Sequence, residues 1–378
     1  MMNDKFSTFE IANCWNALSE KGAYRVFSSS LLKQGVVAID YFVGGAANSG
    51  MKGLLNNNVC DLPDVMQSIS GNDIGFLVEN KLIYSAEWCD VSKKIKNLYP
   101  NWFYDNLLYA GKIYDIPINF QQTNLIWLNL ELLSDYNKEG SVSWCELIEK
   151  ESYSKKPMAI SREPWHRYLI FENIILSLID VDTLKTGDSL NIDLIPKDVI
   201  YESISILNDI INMNKIFFDT WIDSIESVIS GESSCCIMGD WAINIFKYHT
   251  EIIDEVKFSV CSSPASDEFY NNVSDSFVFP LKPSDTICRE KFISLLFSPE
   301  VMQKFYREKG CIGIFDFSSE QKNDGITNNL INNFKNNLVV SSNAFSNFKF
   351  SRNKSLINDF FDKKITPDKL YSSLINFS

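Results

Sequence analysis

Four side-chain amides, Asn119, Gln121, Gln122 and Asn124, fall within one short stretch between apolar runs. Ile116-Pro117-Ile118 precedes them and Leu125-Ile126-Trp127-Leu128 follows. They are too few for a surface loop and too many for a dry core. Buried amides cost stability unless something hydrogen-bonds them. A small polar ligand in a cleft is one candidate for that partner. Trp15 and Trp165 add a second kind of chemistry. Sugar rings present apolar C–H faces that stack on indoles, while their hydroxyls need polar partners at the edge. Glu20, Asp275 and Lys309 supply charges of both signs for such a ligand. Core indoles and surface charges are the ordinary alternative for these five residues.

Asp240-Trp241 follows Gly239 at a strand tip and opens a helix. There Asp240 caps the helix by accepting backbone N–H bonds, or Trp241 forms part of a ligand wall. Gly44-Gly45-Ala46-Ala47 also lies between a strand and a helix, where amides can hold an anion. The spacing of a dinucleotide or phosphate loop is missing, so a tight turn is the simpler reading. Catalytic groups are scarce. No Gly-x-Ser-x-Gly elbow occurs. The two histidines, His166 and His249, sit in no motif, and His249 reads as a helix end. A carboxylate pair such as Glu20 with Asp275 could do acid–base glycoside chemistry, though any acidic protein offers such pairs.

The elements that must position these groups follow an alternating pattern. Residues 8–12 read as a strand, 17–32 as a helix and 36–43 as a second strand followed by a helix to Leu55. Asp64-Val65-Met66 reads as a third strand, and 73–80 as a helix. This rhythm predicts an α/β fold, a mostly parallel sheet with helices on its faces. The stretch 114–127 reads as the passage into a second lobe. Pro164, behind Ser161 and Glu163, opens a buried helix through Ile179. Ile200, Ile204, Leu207 and Ile211 mark another helix. Residues 221–229 give a third, stopped by Gly231, before a short strand at 235–238. Residues 258–261 and 275–279 read as the return to the first lobe. Ser298-Pro299-Glu300 starts a helix that ends at Gly310, and 328–376 reads as helical with a break at 363–368.

The 378 residues suffice for two domains, and 45% hydrophobic with 22% charged residues is ordinary for a globular chain. A net charge of −13 opposes binding to a phosphate backbone, so no nucleic-acid partner is expected. Nine cysteines, without a Cys-x-x-Cys, read as small buried hydrophobes, and their odd number leaves at least one unpaired or intermolecular. With two histidines in the chain, no zinc site or other metal or cofactor is expected. No apolar stretch reaches the ~20 residues of a membrane span.

Four stretches together resemble the family 1 extracellular solute-binding proteins of ABC importers, and within them the glucose/mannose-binding group. These are 10–21, with Trp15 and Glu20; 114–129; Pro164-Trp165 with Phe171-Glu172, joined by 237–242; and 296–310. The resemblance implies two α/β lobes with hinge crossover strands and a ligand cleft. The lobes are expected as 1–115 plus 265–325 and 116–264 plus 326–378. It implies a sugar, a monosaccharide such as glucose or mannose, delivered by closure to a permease in the inner membrane. By position, Trp15 and Trp165 would stack on the sugar, and Glu20, Asp275 and Lys309 would bind its hydroxyls. Asn119, Asn124, Asp240 and Trp241 would support them. A monomer in the periplasm, without catalysis, is the expectation. Cys14, Ser70, Gln121-Gln122 and Phe345 stand where the group carries other residues. Two alternatives stay open: a solute-binding fold with a non-sugar ligand or protein partner, and a glycoside hydrolase.

Overall fold

The computed structural model describes residues 6–375 except 44–61, 72–73, 88–89, 134–142, 155, 215, 250–256, 283–284, 316–324 and 345–350. The Gly44-Gly45-Ala46-Ala47 turn, the helix expected to Leu55 and Phe345 lie outside the described residues. Element labels follow chain order for the elements that frame the site. The first are β1 (Ser7–Asn13), α1 (Leu18–Leu32), β2 (Val36–Phe42), β3 (Val65–Ile69), β4 (Asp115–Pro117), β5 (Gln121–Gln122) and β6 (Leu125–Asn129). Next come α2 (Pro164–Leu178), α3 (Lys197–Met213), α4 (Trp221–Ser230), β7 (Cys235–Ile237), β8 (Phe258–Ser262), β9 (Phe269–Val273) and β10 (Asp275–Val278). Last are α5 (Pro299–Lys309), β11 (Leu338–Ser341) and α6 (Ser351–Phe361).

The chain forms two compact units. The first comprises Met1–Phe120, Val273–Asn323 and Phe345–Phe348; the second comprises Gln121–Asn272, Asp324–Ala344 and Lys349–Ser378. In the first unit five strands form one sheet in the order β2-β1-β3-β10-β4. β1 runs parallel to β2 and β3, as the alternation of strand and helix predicts. β10 returns from the second unit and pairs antiparallel with both β3 and β4, so the sheet is mixed rather than uniform. Its helical side is an aromatic core. Phe27 of α1 lies 5.0 Å from Phe305 of α5, and Phe277 lies 5.0 Å from Phe292. Trp15 packs on both Phe277 and Phe305. Such rings bury large apolar areas, and Phe277 meets both Trp15 and Phe292 edge to face.

The second unit holds two three-stranded sheets, β8-β6-β7 and β11-β9-β5. α2 crosses it buried on all faces from Trp165 to Leu176, which explains its continuous apolar sequence. Pro164 occupies the first turn, as read. Gly231 ends α4 at φ 75°, and Gly310 ends α5 at φ 80°, the left-handed conformation that glycine adopts without strain.

Four readings are corrected. Residues 258–261 do not return to the first unit; β8 pairs antiparallel with β6 inside the second. The segment 328–376 is not all helical, because β11 interrupts it and pairs parallel with β9. Ser298 stands at the start of α5 but its side chain makes no capping bond. Asp240 does not cap; it lies within a 3-10 turn behind Gly239, and its Oδ2 accepts the backbone N–H of Gln122 at 3.0 Å.

Candidate functional site

In the first unit the polar groups gather at one edge of the sheet. β1, β3 and β4 run in one direction, and the loops after them carry Trp15, Ser70 and Asn119. β10 runs the other way, so its first residue, Asp275, stands opposite Ile69 at the same edge. Ligands of α/β sheets bind outside such carboxyl ends. Asp275 is the hub. Its Oδ1 accepts from Gln67 Nε2 at 2.8 Å and its Oδ2 from Asn119 Nδ2 at 2.9 Å. Asn119 Oδ1 in turn accepts the Asp275 N–H at 2.7 Å.

Lys309, at the end of α5, reaches this hub from the helical layer. Its Nζ lies 2.7 Å from Glu20 Oε1 and 3.5 Å from Asp275 Oδ2, with all three side chains nearly inaccessible. The ammonium also lies 5.3 Å from the Trp15 ring. Burial alone would pull the Lys309 pKa down; the carboxylates of Asp275 and Glu20 outweigh it and hold the amine above its ordinary value. The other oxygen of Glu20 accepts the N–H groups of Asn16 and Ala17 at 3.0 and 3.1 Å, anchoring the first turn of α1. Both oxygens of Glu20 are therefore engaged within the chain. An ammonium has three donors, and the two carboxylates take two. Trp15 Nε1 is buried without a hydrogen-bond partner among the described residues. A buried N–H of that kind is costly unless something accepts from it.

Sequence reasoning passed over two members of this network. Gln67 links Asp275 to Cys14, accepting from the Cys14 backbone N–H at 3.0 Å. Cys311 Sγ lies 3.6 Å from Asn119 Nδ2. Burial, with Glu20 and Asp275 nearby, raises the Cys14 pKa, so that thiol stays protonated. The signal for Gln67 was its place as the one amide in the strand Val65-Met66-Gln67-Ser68-Ile69, buried throughout.

In the second unit the indoles cluster. Trp165 lies 6.3 Å from Trp241, which lies 6.5 Å from Trp221. Trp221 was read only as a helix start. Glu163 Oε2 accepts the Trp221 N–H at 2.7 Å, joining the starts of α2 and α4. The Trp241 ring lies so close to Gly239 that a Cβ there would come within 2.1 Å of it. Asn124 is spent within the unit: its Nδ2 donates to the Ser266 and Phe269 carbonyls, and its Oδ1 accepts the Asn271 N–H at 2.9 Å. Gln122 donates to Asn124 Oδ1 and accepts from Asn333. The crossover amides thus find most of their partners in the chain itself. Gln121 Nε2 is the exception, buried without a partner among the described residues.

His166, beside Trp165, is fixed in one tautomer. Its Nδ1 accepts the Ser161 N–H at 3.1 Å, so the proton sits on Nε2, which donates to the Ile237 carbonyl at 2.8 Å. Burial is the main cause that pushes its pKa down from 6.5 to about 4. The unfolded chain therefore takes up this proton first as pH falls. The stabilising contribution is complete above the unfolded value and is lost between about pH 6.5 and pH 4, roughly 3 kcal/mol in all. The stability advantage of the natural protein over His166→Gln should accordingly shrink by about that amount between pH 7 and pH 4. Urea midpoints at the two pH values test this, and an unchanged gap would refute it.

Two α/β units threaded by strands that leave and return, one with a buried charge network at a sheet edge and the other with clustered indoles, have the architecture of a solute-binding protein. Known proteins agree. The chain belongs to the bacterial extracellular solute-binding proteins, whose family model matches residues 51–329. That family consists of receptors rather than enzymes. An uncharacterized ABC transporter extracellular-binding protein of Pyrococcus horikoshii is 24% identical over 321 residues, 80% of this chain and 70% of that protein. A probable sugar-binding periplasmic protein of Brucella melitensis is 24% identical over 242 residues, 62% of this chain and 57% of its own length. Among solved structures, the solute receptor AcbH, described as exclusive for β-D-galactopyranose, superposes with a TM-score of 0.77 at 14% identity, covering 98% of this chain and 97% of that one. The GacH receptor of Streptomyces glaucescens, solved unliganded and with acarbose, gives 0.75 at 14% identity, covering 98% and 99%. At these identities the structural likeness establishes the fold. Among the described residues no helix is long and apolar enough to cross a membrane.

Proposed function

We propose that this protein is the sugar-binding component of an ABC importer, holding its ligand by closure of the two units and presenting it to a membrane permease. Trp15, Glu20, Asp275 and Lys309 form the binding surface of the first unit, and Trp165 and Trp241 that of the second. Asn119, Asn124 and Asp240 hold these surfaces in place through the bonds described above. The observation that carries the reading is Trp15: a buried indole N–H without a partner, next to an ammonium whose third donor is not taken by its two carboxylates. A sugar hydroxyl oxygen, with two lone pairs, is a group that can accept from both. The ligand is a monosaccharide, glucose or mannose by the pattern of residues 10–21 and 114–129, and the protein works as a periplasmic monomer.

A calorimetric or thermal-shift screen of glucose, mannose, galactose, maltose and mannobiose tests the proposal. One of the monosaccharides should bind with a dissociation constant below about 0.1 mM, and Trp15→Ala should weaken it by roughly 10- to 100-fold, the worth of one aromatic contact and one hydrogen bond. Binding of the disaccharides alone would shift the ligand class. No response to any sugar would remove the reading.

A further inference from the structure

The carboxylate of Glu172 lies in the middle of α2, 1% exposed, and none of the chemistry above uses it. Its bonds lead to the strands that join the units. Glu172 Oε2 accepts from Ser342 Oγ at 2.6 Å, and Oε1 accepts the Asn343 N–H at 2.6 Å. Ser342 N–H donates to the carbonyl of Asn272 at 2.9 Å, and Asn272 is the last residue of the second unit before the chain passes into β10. The neighbouring residue of α2, Asn173, donates to the Leu169 carbonyl at 2.8 Å and reaches the Thr123 carbonyl at 3.5 Å. Thr123 N–H and Oγ1 both meet the Asn271 carbonyl, at 2.8 and 3.0 Å. One turn of α2 therefore holds both described passages between the units. Asp275 follows Asn272 by three residues, and Asn119 precedes Thr123 by four.

We propose that Glu172 is a proton-linked positioning residue: in its ionised form it fixes the strand leading to Asp275 and so strengthens ligand binding, and in its protonated form it relaxes that hold. This rests on the ligand-binding reading of the site. An ionised carboxylate accepts from both Ser342 Oγ and the Asn343 N–H with charge-assisted strength, whereas the acid must turn one oxygen into a donor. Burial, opposed by those two bonds and by Asn271, raises this group from 4.5 to about 7, within reach of ordinary pH changes. The groups that face it do not titrate with it. Tyr168, on the same helix, is held protonated by burial and by Glu172 itself. Asn271, Ser342 and Asn343 are uncharged. Lys354 Nζ, from α6, donates to the Ala344 carbonyl at 3.0 Å and holds the same segment. His166, two turns earlier on α2, changes charge only near pH 4.

The test has one arm without ligand and one with it. Hydrogen exchange at the Ser342 and Asn343 amides, corrected for intrinsic rate, is measured at pH 6 and pH 8. Protection should rise by roughly tenfold in the natural protein and stay level in Glu172→Gln. Ser342→Ala, which keeps the carboxylate and removes one bond to its ionised form, should move the transition to higher pH. Calorimetry with D-glucose, D-mannose and D-galactose follows at both values. The sugar that binds should bind at least about fivefold more tightly at pH 8, with proton release that disappears in Glu172→Gln. Level protection in the natural protein, or binding without pH dependence or proton release, overturns the proposal. Rising protection without binding of any of the three sugars leaves the anchor intact and defeats the sugar reading instead.

Discussion

Replacement of Lys309 by Met is expected to cost the first unit about 3–5 kcal/mol, the penalty for removing one partner of a buried ion pair. The magnitude comes from what is left behind. Glu20 and Asp275 would face each other's charge at a sheet edge from which the ammonium had been withdrawn, with Lys309 itself only 3% exposed in the natural protein. Asp275 would keep the amides of Gln67 and Asn119, and Glu20 its two backbone N–H donors. Hydrogen bonds of that kind offset part of a desolvated charge but do not neutralise it. The double variant Lys309→Met with Glu20→Gln provides the check, since a Gln carbonyl can still accept from Asn16 and Ala17. It should be less destabilised than the sum of its single changes by about 1–3 kcal/mol. Denaturant titrations of the four proteins measure that coupling. Additive losses would mean that the three charges do not act as a unit. Sugar binding should be lost in both Lys309 variants, because the ammonium is the donor assigned to a hydroxyl.

How this network arises explains what the sequence discloses and what it withholds. β1, β2, α1 and the opening of α5 were readable because local chemistry specifies them: apolar alternation, helical spacing, and Pro299 at a first helical position. Gly231 and Gly310 marked helix ends because few other residues adopt that conformation. β9 and β11 were not readable. Phe269-Tyr270-Asn271-Asn272-Val273 carries two amides in its centre, a composition typical of turns, and becomes a strand only because Asn271 and Asn272 are bonded by neighbours on both sides. Leu338–Ser341 is too short to stand out beside a helix rich in Asn and Lys. The same limit applies to the site. Trp15, Glu20, Asp275 and Lys309 were nominated by type and by resemblance, and three of them do meet in one ionic cluster around the Trp15 ring. Gln67 stood out locally only as a lone amide in an apolar strand; its partner Asp275 lies 208 residues away, and no local pattern encodes that pairing. The amides of 119–124 were correctly singled out as demanding partners. The sequence left open whether a ligand or the protein would supply them, and for Asn119, Gln122 and Asn124 the protein does.

Arg167 gives the second large effect, in the other unit. It follows Trp165 and His166 on α2 and is 2% exposed. One guanidinium nitrogen donates to Asn358 Oδ1 at 2.6 Å and Asp362 Oδ1 at 2.8 Å, both on or just beyond α6, while Nε donates to the Ser161 carbonyl at 3.3 Å. The rings of Phe217 and Phe361 lie 5.4 and 5.1 Å from its centre. Arg167→Met keeps the apolar stem but leaves Asp362 without this partner. Asp362 is 32% exposed at the side chain, so water recovers part of the loss. The two ring contacts add about 0.5–1 kcal/mol each, and the hydrogen bonds of the guanidinium about 1–2 kcal/mol together once that recovery is counted. A total near 2–4 kcal/mol is expected for Arg167→Met. Arg167→Lys should recover less than half of it, because an ammonium cannot stack on both rings and donate in three directions from one plane. The structural consequence should reach the binding surface. Ser161, which Arg167 holds by its carbonyl, also holds His166 through its N–H and Oγ, and His166 adjoins Trp165. Release of Ser161 frees the first turn of α2, so the emission of the Trp165–Trp241 pair should shift to the red in Arg167→Met before any global unfolding. Unchanged emission at native temperature, together with a loss of stability, would confine Arg167 to packing of α2 on α6 and separate it from the positioning of the indoles.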